Sequence, residues 1–244
     1  MKHSVNNLIG FTMGATDGEI GKVKDFYFDD DTWTIRYLIV ETGSWLFGRK
    51  VLISPAALLT PDWKGEVFPV NLTKEQIKNS PDIDTDKPVS RQQEIKLYEH
   101  YPWGSYWGVG LWPGGMSTSG MMAPTAPPLE QAINNEENTT GKETGNPHLR
   151  SCGKVTGYNL KAADGEIGDV EDFIIDDNTW KIDFIVADTG KWFYGKKVLI
   201  SPKSIKEIVW DASMVIINTS VEQVKNSPEY EPGKQISGDY EANL

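Results

Sequence analysis

Apolar and polar positions alternate along this chain in short runs separated by Gly and Asp, a pattern that indicates β-strands. Residues Glu19–Phe28 alternate and then become apolar on both faces, which predicts a strand that begins at a rim and ends in a core. β-branched and aromatic residues predict a second strand over Trp33–Val40 and a third over Lys50–Ile53. Asp17-Gly18 predicts a tight hairpin before them.

The whole pattern occurs twice. Asp17–Pro55 matches Asp164–Pro202 at a constant shift of 147 residues, and the match extends without a gap from Val5–Asp82 to Cys152–Glu229. A repeat of roughly 80 residues divides the chain into two small domains. A domain of that length buries only about 60% of its unfolded surface, so the copies are expected to pack on each other or on a partner.

Each copy contains five or six short strands and little helix, which predicts a small β-barrel that closes its own edges. Short helices are expected over Thr73–Ile77 and Arg91–His100, whose N-caps would be Thr73 and Ser90. The predicted fold is mostly β, with two tandem barrels related by pseudo-twofold symmetry. The expected organisation is a first barrel over 1–82, a helical and aromatic extension over 83–112, a flexible linker over 113–150, a second barrel over 151–229 and a tail over 230–244.

The amino-acid composition disfavours several classes of function. The 24 Lys and Arg residues against 35 Asp and Glu residues give a net charge of −11, which disfavours binding to nucleic acid or to an anionic membrane. No apolar run is long enough to span a bilayer, and the first residues lack the apolar segment of a secretory signal. A cytoplasmic protein, with a peripheral membrane location left open, is therefore expected. The single cysteine, Cys152, corresponds to Val5 and is expected to be a small apolar filler.

Candidate chemistry is sparse. The acidic runs Asp29–Asp31 and Asp176–Asn178 offer oxygen ligands for a cation but lack the spacing of a calcium loop, so hairpin turns are the favoured interpretation. His3, His100 and His148 have no counterparts in the other copy. The sequence therefore predicts no catalytic, cofactor-binding or metal-binding residues, and a non-enzymatic protein.

Clustered aromatic residues are the candidate contact sites. Three bulky side chains lie beside Gly in a predicted loop of each copy, where they could form an interface with a partner or with each other. A Gly-rich aromatic strip that occurs once could cover a barrel or bind a partner. The candidate interface residues are Trp45, Leu46, Phe47, Trp192, Phe193, Tyr194, Trp103, Tyr106 and Trp107.

The repeated motifs resemble those of the PRC-barrel family. They are D-G-E-I-G-x-V-x-D-F, the turn D-D-x-T-W, a strand ending in T-G, the loop W-[LF]-[FY]-G and K-V-L-I-S-P. This resemblance covers about two thirds of the chain and implies a docking or assembly module without a shared catalytic motif. Related barrels occur in the photosynthetic reaction centre H subunit and in a ribosome maturation factor, but the membrane helix of the former and the RNA-associated domain of the latter have no counterpart here.

Three functional hypotheses follow. The first is a non-enzymatic scaffold or adaptor that binds unidentified protein partners, with the barrels packed within one chain or in a homodimer. The second, implied by the resemblance, is a reaction-centre-H-like accessory protein of a membrane electron-transfer complex. The third is a small-ligand or cation sensor, which would need a polar pocket.

Overall fold

The computed structural model describes residues 1–81, 89, 91–101, 103, 149–190, 195–234 and 236. Its strands are β1 (Lys2–Ser4), β2 (Thr12–Ala15), β3 (Gly18–Asp29), β4 (Thr34–Thr42), β5 (Lys50–Ile53), β6 (Val67–Pro69), β7 (Leu149–Ser151), β8 (Asn159–Lys161), β9 (Glu166–Asp176), β10 (Ile182–Asp188), β11 (Lys197–Ile200), β12 (Ile205–Val209) and β13 (Met214–Ile217). The α-helices are α1 (Val5–Leu8), α2 (Lys74–Lys78), α3 (Arg91–His100), α4 (Cys152–Val155) and α5 (Val221–Asn226).

Many of the predicted elements are confirmed. The three central strands of the first copy appear as β3, β4 and β5, and the two helices as α2 and α3. Ala15 pairs with Gly18 across a two-residue turn, which is the hairpin expected from Asp17-Gly18. Thr73 and Gln76 form a capping box at the start of α2, and Ser220 and Gln223 form the same one at the start of α5.

Each repeat builds one sheet. The strand order is β5-β4-β3-β2-β6 in the first repeat and β11-β10-β9-β8-β13-β12 in the second. The predicted closure into barrels is wrong, because among the described residues no ladder joins the two end strands of either sheet. In the first repeat the segment after β5 makes isolated bridges from Leu58 to Val70 and from Asp62 to Val67, where the second repeat has the ladder between β12 and β13.

Each repeat gives its first strand to the sheet of the other repeat. β1 pairs with residues 174–176 of β9, and β7 pairs with residues 27–29 of β3. The long strands β3 and β9 therefore share one edge between two partners, their own repeat at one end and the other repeat at the opposite end. Leu149 and Arg150 of the predicted linker belong to β7, while the rest of 113–150 lies outside the described residues.

The seam between the repeats is built from reciprocal contacts. Ile35 N–H donates to Trp180 O at 2.7 Å, and Ile182 N–H donates to Trp33 O at 2.8 Å. Every residue in this exchange has its counterpart at the shift of 147, which is the signature of a pseudo-twofold relation. A single buried cluster runs through both sheets. The two repeats consequently form one structural unit.

Different elements cover the outer faces of the two sheets. On the first, α3 lies over Tyr37, whose hydroxyl donates to Glu94 Oε1 at 2.9 Å, and both side chains are fully buried. On the second, Phe184 replaces Tyr37 and packs with Tyr230 and Ile236 of the C-terminal segment. None of the helices in the described ranges combines the length and apolar character that crossing a bilayer requires.

Candidate functional site

Two aspartates, the buried Asp172 and the partly buried Asp25, fasten the exchanged segments. Ser4 Oγ–H and Asn6 N–H both donate to the carboxylate of Asp172, the second at 3.1 Å. In the other repeat, Ser151 Oγ–H and Gly153 N–H donate to Asp25 in the same way, the second at 2.9 Å. The use of these aspartates between the repeats follows from the exchange of β1 and β7, which no local pattern indicates.

A second pair of contacts surrounds the seam. His3 stacks on Trp63 with ring centroids 4.0 Å apart, and its Nε2 lies 3.1 Å from Asp177 Oδ2. The equivalent position of the second repeat is Arg150, whose Nε donates to Asp30 at 2.9 Å. The Arg150 guanidinium lies 3.9 Å from the centroid of the Trp210 ring, a cation–π contact. Each of these groups therefore combines an acidic turn, a nitrogen-bearing side chain of the exchanged strand and a Trp.

Burial governs the electrostatics of the seam. It raises the pKa of Asp172 above the ordinary value, although the bonds from Ser4, Phe173 and Asn6 act in the opposite direction. Burial also raises the pKa of Asp30 against the influence of Arg150. A carboxylate held this way is a structural acceptor whose negative charge has an energetic cost.

Asp172→Asn is expected to become less destabilising, relative to the parent chain, as pH rises from about 4 to about 7. The raised pKa means that the stability contributed by Asp172 is complete below the unfolded-state pKa of 3.8 and is lost as pH rises through the folded-state pKa. The asparagine side chain does not titrate, so its contribution to stability does not vary with pH. Urea unfolding at several pH values measures the difference, and Glu229→Gln, exposed in the same repeat, controls for net charge. A difference that does not vary with pH would contradict this prediction.

The acidic runs form turns, as the favoured interpretation predicted. Asp29 Oδ1 accepts from the N–H groups of Asp31 and Thr32, and Asp176 Oδ1 accepts from those of Asn178 and Thr179. Within the described residues, no group of three or more His, Cys, Asp or Glu side chains is arranged to hold a metal ion. One carboxylate oxygen of Asp29 and one of Asp176 therefore serve the backbone of the turn, while Asp30 and Asp177 pair with Arg150 and His3.

Both acidic turns end in a Trp with left-handed backbone, at φ 54° for Trp33 and 56° for Trp180. A bulky residue in this region costs roughly 1–2 kcal/mol. The conformation directs each Trp carbonyl to a backbone N–H of the other repeat. Contacts across the seam therefore compensate for the strain of the turns.

Cys152 is buried at the start of α4, as expected for a filler, with 1% of its surface exposed against 3% for Val5 in the other repeat. Burial raises the pKa of the Cys152 thiol, and the nearby carboxylates of Asp25 and Asp172 act in the same direction. A protonated, enclosed thiol is a poor nucleophile. Its position fits a role in packing.

The aromatic loop of the first repeat separates an anchor from a displayed side chain. Trp45 Nε1–H donates to Ile20 O at 2.7 Å, and Lys74 Nζ lies 5.2 Å from the centroid of a Trp45 ring. Phe47 follows with φ 56° and is 97% exposed, while Leu46 between them is partly buried. A phenyl ring exposed to this extent contributes little to folding.

The base of the aromatic loop is repeated. Thr42 Oγ1–H donates to Arg49 O at 2.8 Å, and Thr189 Oγ1–H donates to Lys196 O at 2.6 Å. The candidate residues Trp192, Phe193 and Tyr194 lie outside the described residues. The loop that carries them therefore starts and ends in the same framework as the Phe47 loop.

Trp103, the described member of the aromatic strip, packs against the first sheet. Its ring stacks on Tyr101 at 4.1 Å and contacts Tyr37 and Tyr98 at 6.5 and 6.3 Å between centroids. The other candidates of the strip, Tyr106 and Trp107, lie outside the described residues. Trp103 is thus placed as part of the cover that α3 forms over this face.

An open groove of about 490 Å³ lies where the acidic turn of the first repeat faces β12 of the second. The groove contains ionisable side chains, but Arg150 and Asp30 are paired with each other and Asp31, Lys206 and Glu207 are exposed. Its lining is Asp30, Asp31, Trp33, Arg150, Pro202, Ile205, Lys206, Glu207, Ile208 and Trp210. An open site of this kind suits binding better than general acid–base chemistry, which needs groups positioned in a cleft.

Two comparisons with known proteins bear on this chain. A family model described as the PRC-barrel domain matches residues 2–76 and 160–224, which together make up more than half of the chain. A curated protein of Deinococcus radiodurans, described as an uncharacterized protein, is 31% identical over 90 residues, or 36% of this chain and 32% of that protein. The chain thus spans about a third of the length of the curated relative that it matches.

Proposed function

The chain belongs to the PRC-barrel domain family, and on that premise we propose that it is a non-enzymatic scaffold that binds protein partners through its aromatic loops. The observation that carries the proposal is the 97% exposure of Phe47 on a loop that is otherwise anchored. Exposed aromatic side chains on a fixed framework are typical anchors of protein interfaces.

The anchoring of the loop supports this role. Trp45 bonds to the backbone of β3 at 2.7 Å, and the hydroxyl of Thr42 closes the base of the loop. The short helical turn Ser44–Leu46 leads directly into Phe47. A loop held in place by such contacts loses little conformational entropy on binding, so most of the free energy from burying Phe47 remains available for affinity.

The seam supports a scaffold rather than two independent modules. Exchange of β1 and β7 fixes one repeat against the other, so the two loop frameworks keep a constant separation. Two sites with a fixed geometry can bind two partners in a defined arrangement, or one bivalent partner with a higher effective concentration.

Phe47→Ser is expected to abolish capture of a partner from an extract of the source cells while changing the free energy of unfolding by less than about 0.5 kcal/mol. The measurement is affinity capture with the full chain, followed by identification of the proteins retained by the parent chain and missing from the variant. Leu59→Ser is the matched control, because Leu59 is 50% exposed elsewhere on the same repeat.

A partner captured equally by the parent chain, the Phe47 variant and the Leu59 variant would contradict the role of the loop. Retention of nothing by the parent chain under the same conditions would contradict the scaffold function itself. The unfolding midpoints of both variants should equal that of the parent chain, which separates loss of contact from misfolding. A binding constant measured with the purified partner then gives the size of the loss.

A further inference from the structure

The open groove described above runs along the edge of a strand. Four consecutive residues of β12, Ile205 to Ile208, line it. Successive side chains of a strand point to opposite faces, so a groove in contact with all four follows the strand edge instead of one face. β12 is the end strand of its sheet and pairs with β13 on its other side.

That edge has unused hydrogen-bonding capacity. Among the described residues, no strand pairs with β12 on the side of the groove. An exposed strand edge presents N–H and C=O groups that readily accept another strand, and proteins commonly block such edges with proline or with charged residues. β12 extends over five residues, or about 17 Å, which is enough for a short added strand.

The first repeat protects the equivalent edge and the second does not. At the shift of 147, Ile208 corresponds to Pro61, which lacks a backbone N–H and is a typical edge blocker. The segment around Pro61 makes isolated bridges, from Leu58 to Val70 and from Asp62 to Val67, whereas its counterpart forms the continuous strand β12. Among the described residues, a continuous strand at this position is thus a feature of the second repeat and not of the first.

The chemistry of the groove selects its occupant. Trp33 and Trp210 supply apolar walls, and Arg150 is already engaged by Asp30 and by the face of Trp210. The exposed charges that remain are two carboxylates, Asp31 and Glu207, and one ammonium group, Lys206. The excess of negative charge favours a strand that carries basic side chains between aliphatic ones.

We propose that the edge of β12 and the groove beside it bind an extended peptide segment of a partner protein, in which Lys or Arg alternates with aliphatic residues. The segment adds to the second sheet as a further strand through main-chain hydrogen bonds, and its side chains lie between Trp33 and Trp210. This inference rests on the proposed function in its general sense, that the chain binds other polypeptides, but it uses a surface separate from the Phe47 loop.

The experiment uses the full chain and fluorescein-labelled peptides of about seven residues in fluorescence anisotropy. One peptide alternates valine with lysine, a second alternates valine with glutamate, and a third repeats the first with alternate backbone nitrogens methylated. The lysine peptide is expected to bind at least about tenfold more tightly than the glutamate peptide. It should also bind at least about tenfold more tightly than the methylated peptide, which has the same charge but lacks the donors of an added strand.

Ile208→Pro gives the second repeat the proline of the first and should weaken binding of the lysine peptide by about tenfold or more. If this variant does not fold, the methylated peptide alone decides the question. Phe47→Ser should leave peptide binding unchanged, so failure of the aromatic loop and failure of the groove are distinguishable. Equal binding of the methylated and unmethylated peptides would overturn the inference. So would a dimer in sedimentation equilibrium that Ile208→Pro abolishes, because a second copy of the chain would then occupy the edge.

Discussion

Replacing Gly21 by alanine is expected to lower the free energy of unfolding by about 3 kcal/mol or more. A Cβ atom at this position would lie 2.0 Å from Glu41 O and 2.8 Å from Thr42 Cα. Both atoms belong to the backbone of β4, which pairs with β3 directly opposite Gly21. The overlap is relieved only by separating two central strands, because no flexible side chain can move out of the way. Urea unfolding followed by Trp fluorescence measures the effect.

The neighbouring strand offers a matched control. At Gly14 of β2, an added Cβ would meet Val67 Cγ1 at 3.8 Å, an ordinary van der Waals distance, so Gly14→Ala should cost far less. Gly168 repeats the situation of Gly21 in the second sheet, with Asp188 O at 1.9 Å and a φ of 151°. Gly168→Ala should therefore be at least as destabilising. Equal effects of the Gly14 and Gly21 substitutions would refute the steric explanation.

Phe28→Ala is expected to destabilise the whole chain by about 3–5 kcal/mol and to leave a single unfolding transition. Phe28 is fully buried on β3, and its ring centroid lies 5.8 Å from that of Phe173 on the other sheet. Because the buried cluster runs through both repeats, a cavity at the seam weakens both sheets together. Two transitions, of which only one shifts in the variant, would show that the repeats unfold independently.

A double-mutant cycle tests whether the seam couples the repeats. The rings of Phe28 and Phe173 are in contact. The double variant Phe28→Ala/Phe173→Ala should therefore change the free energy of unfolding by an amount that differs from the sum of the two single effects by about 0.5–3 kcal/mol. Phe47→Ala provides the control for loss of an exposed phenyl ring, with a change below about 0.5 kcal/mol. Additive effects of the two buried substitutions would indicate that the seam contacts contribute little.

The strand positions were predictable because they depend on local pattern. The alternation of 19–28 and the β-branched run of 33–40 each indicate a strand whichever neighbour it pairs with. Pairing between distant segments has no such local signal. The exchange of Lys2–Ser4 with Leu149–Ser151 joins segments far apart in the chain, and the alternation of apolar and polar residues does not specify which strand is the partner.

The candidate contact residues show the same limit. From the sequence alone, Trp45, Leu46 and Phe47 are equally good candidates for a contact surface. In the structure Trp45 is anchored by its bond to Ile20 O, whereas Phe47 is almost wholly exposed. The groove beside β12 was not predicted at all, since it joins an acidic turn to residues more than 170 positions later in the chain. The sequence carries one signal for this strand edge, which is that Pro61 of the first repeat corresponds to Ile208 in the second.

The sequence by itself determined the duplication, the mostly β fold, the family resemblance and the turns, since each follows from local residue order or from direct comparison of two segments of the chain. Only the tertiary structure decided that, among the described residues, the sheets remain open, that Asp25 and Asp172 fasten the opposite repeat, and that no strand pairs with the outer edge of β12. The physical reason is that backbone hydrogen bonds between strands carry no side-chain identity. Their partners are selected by the packing of the whole chain.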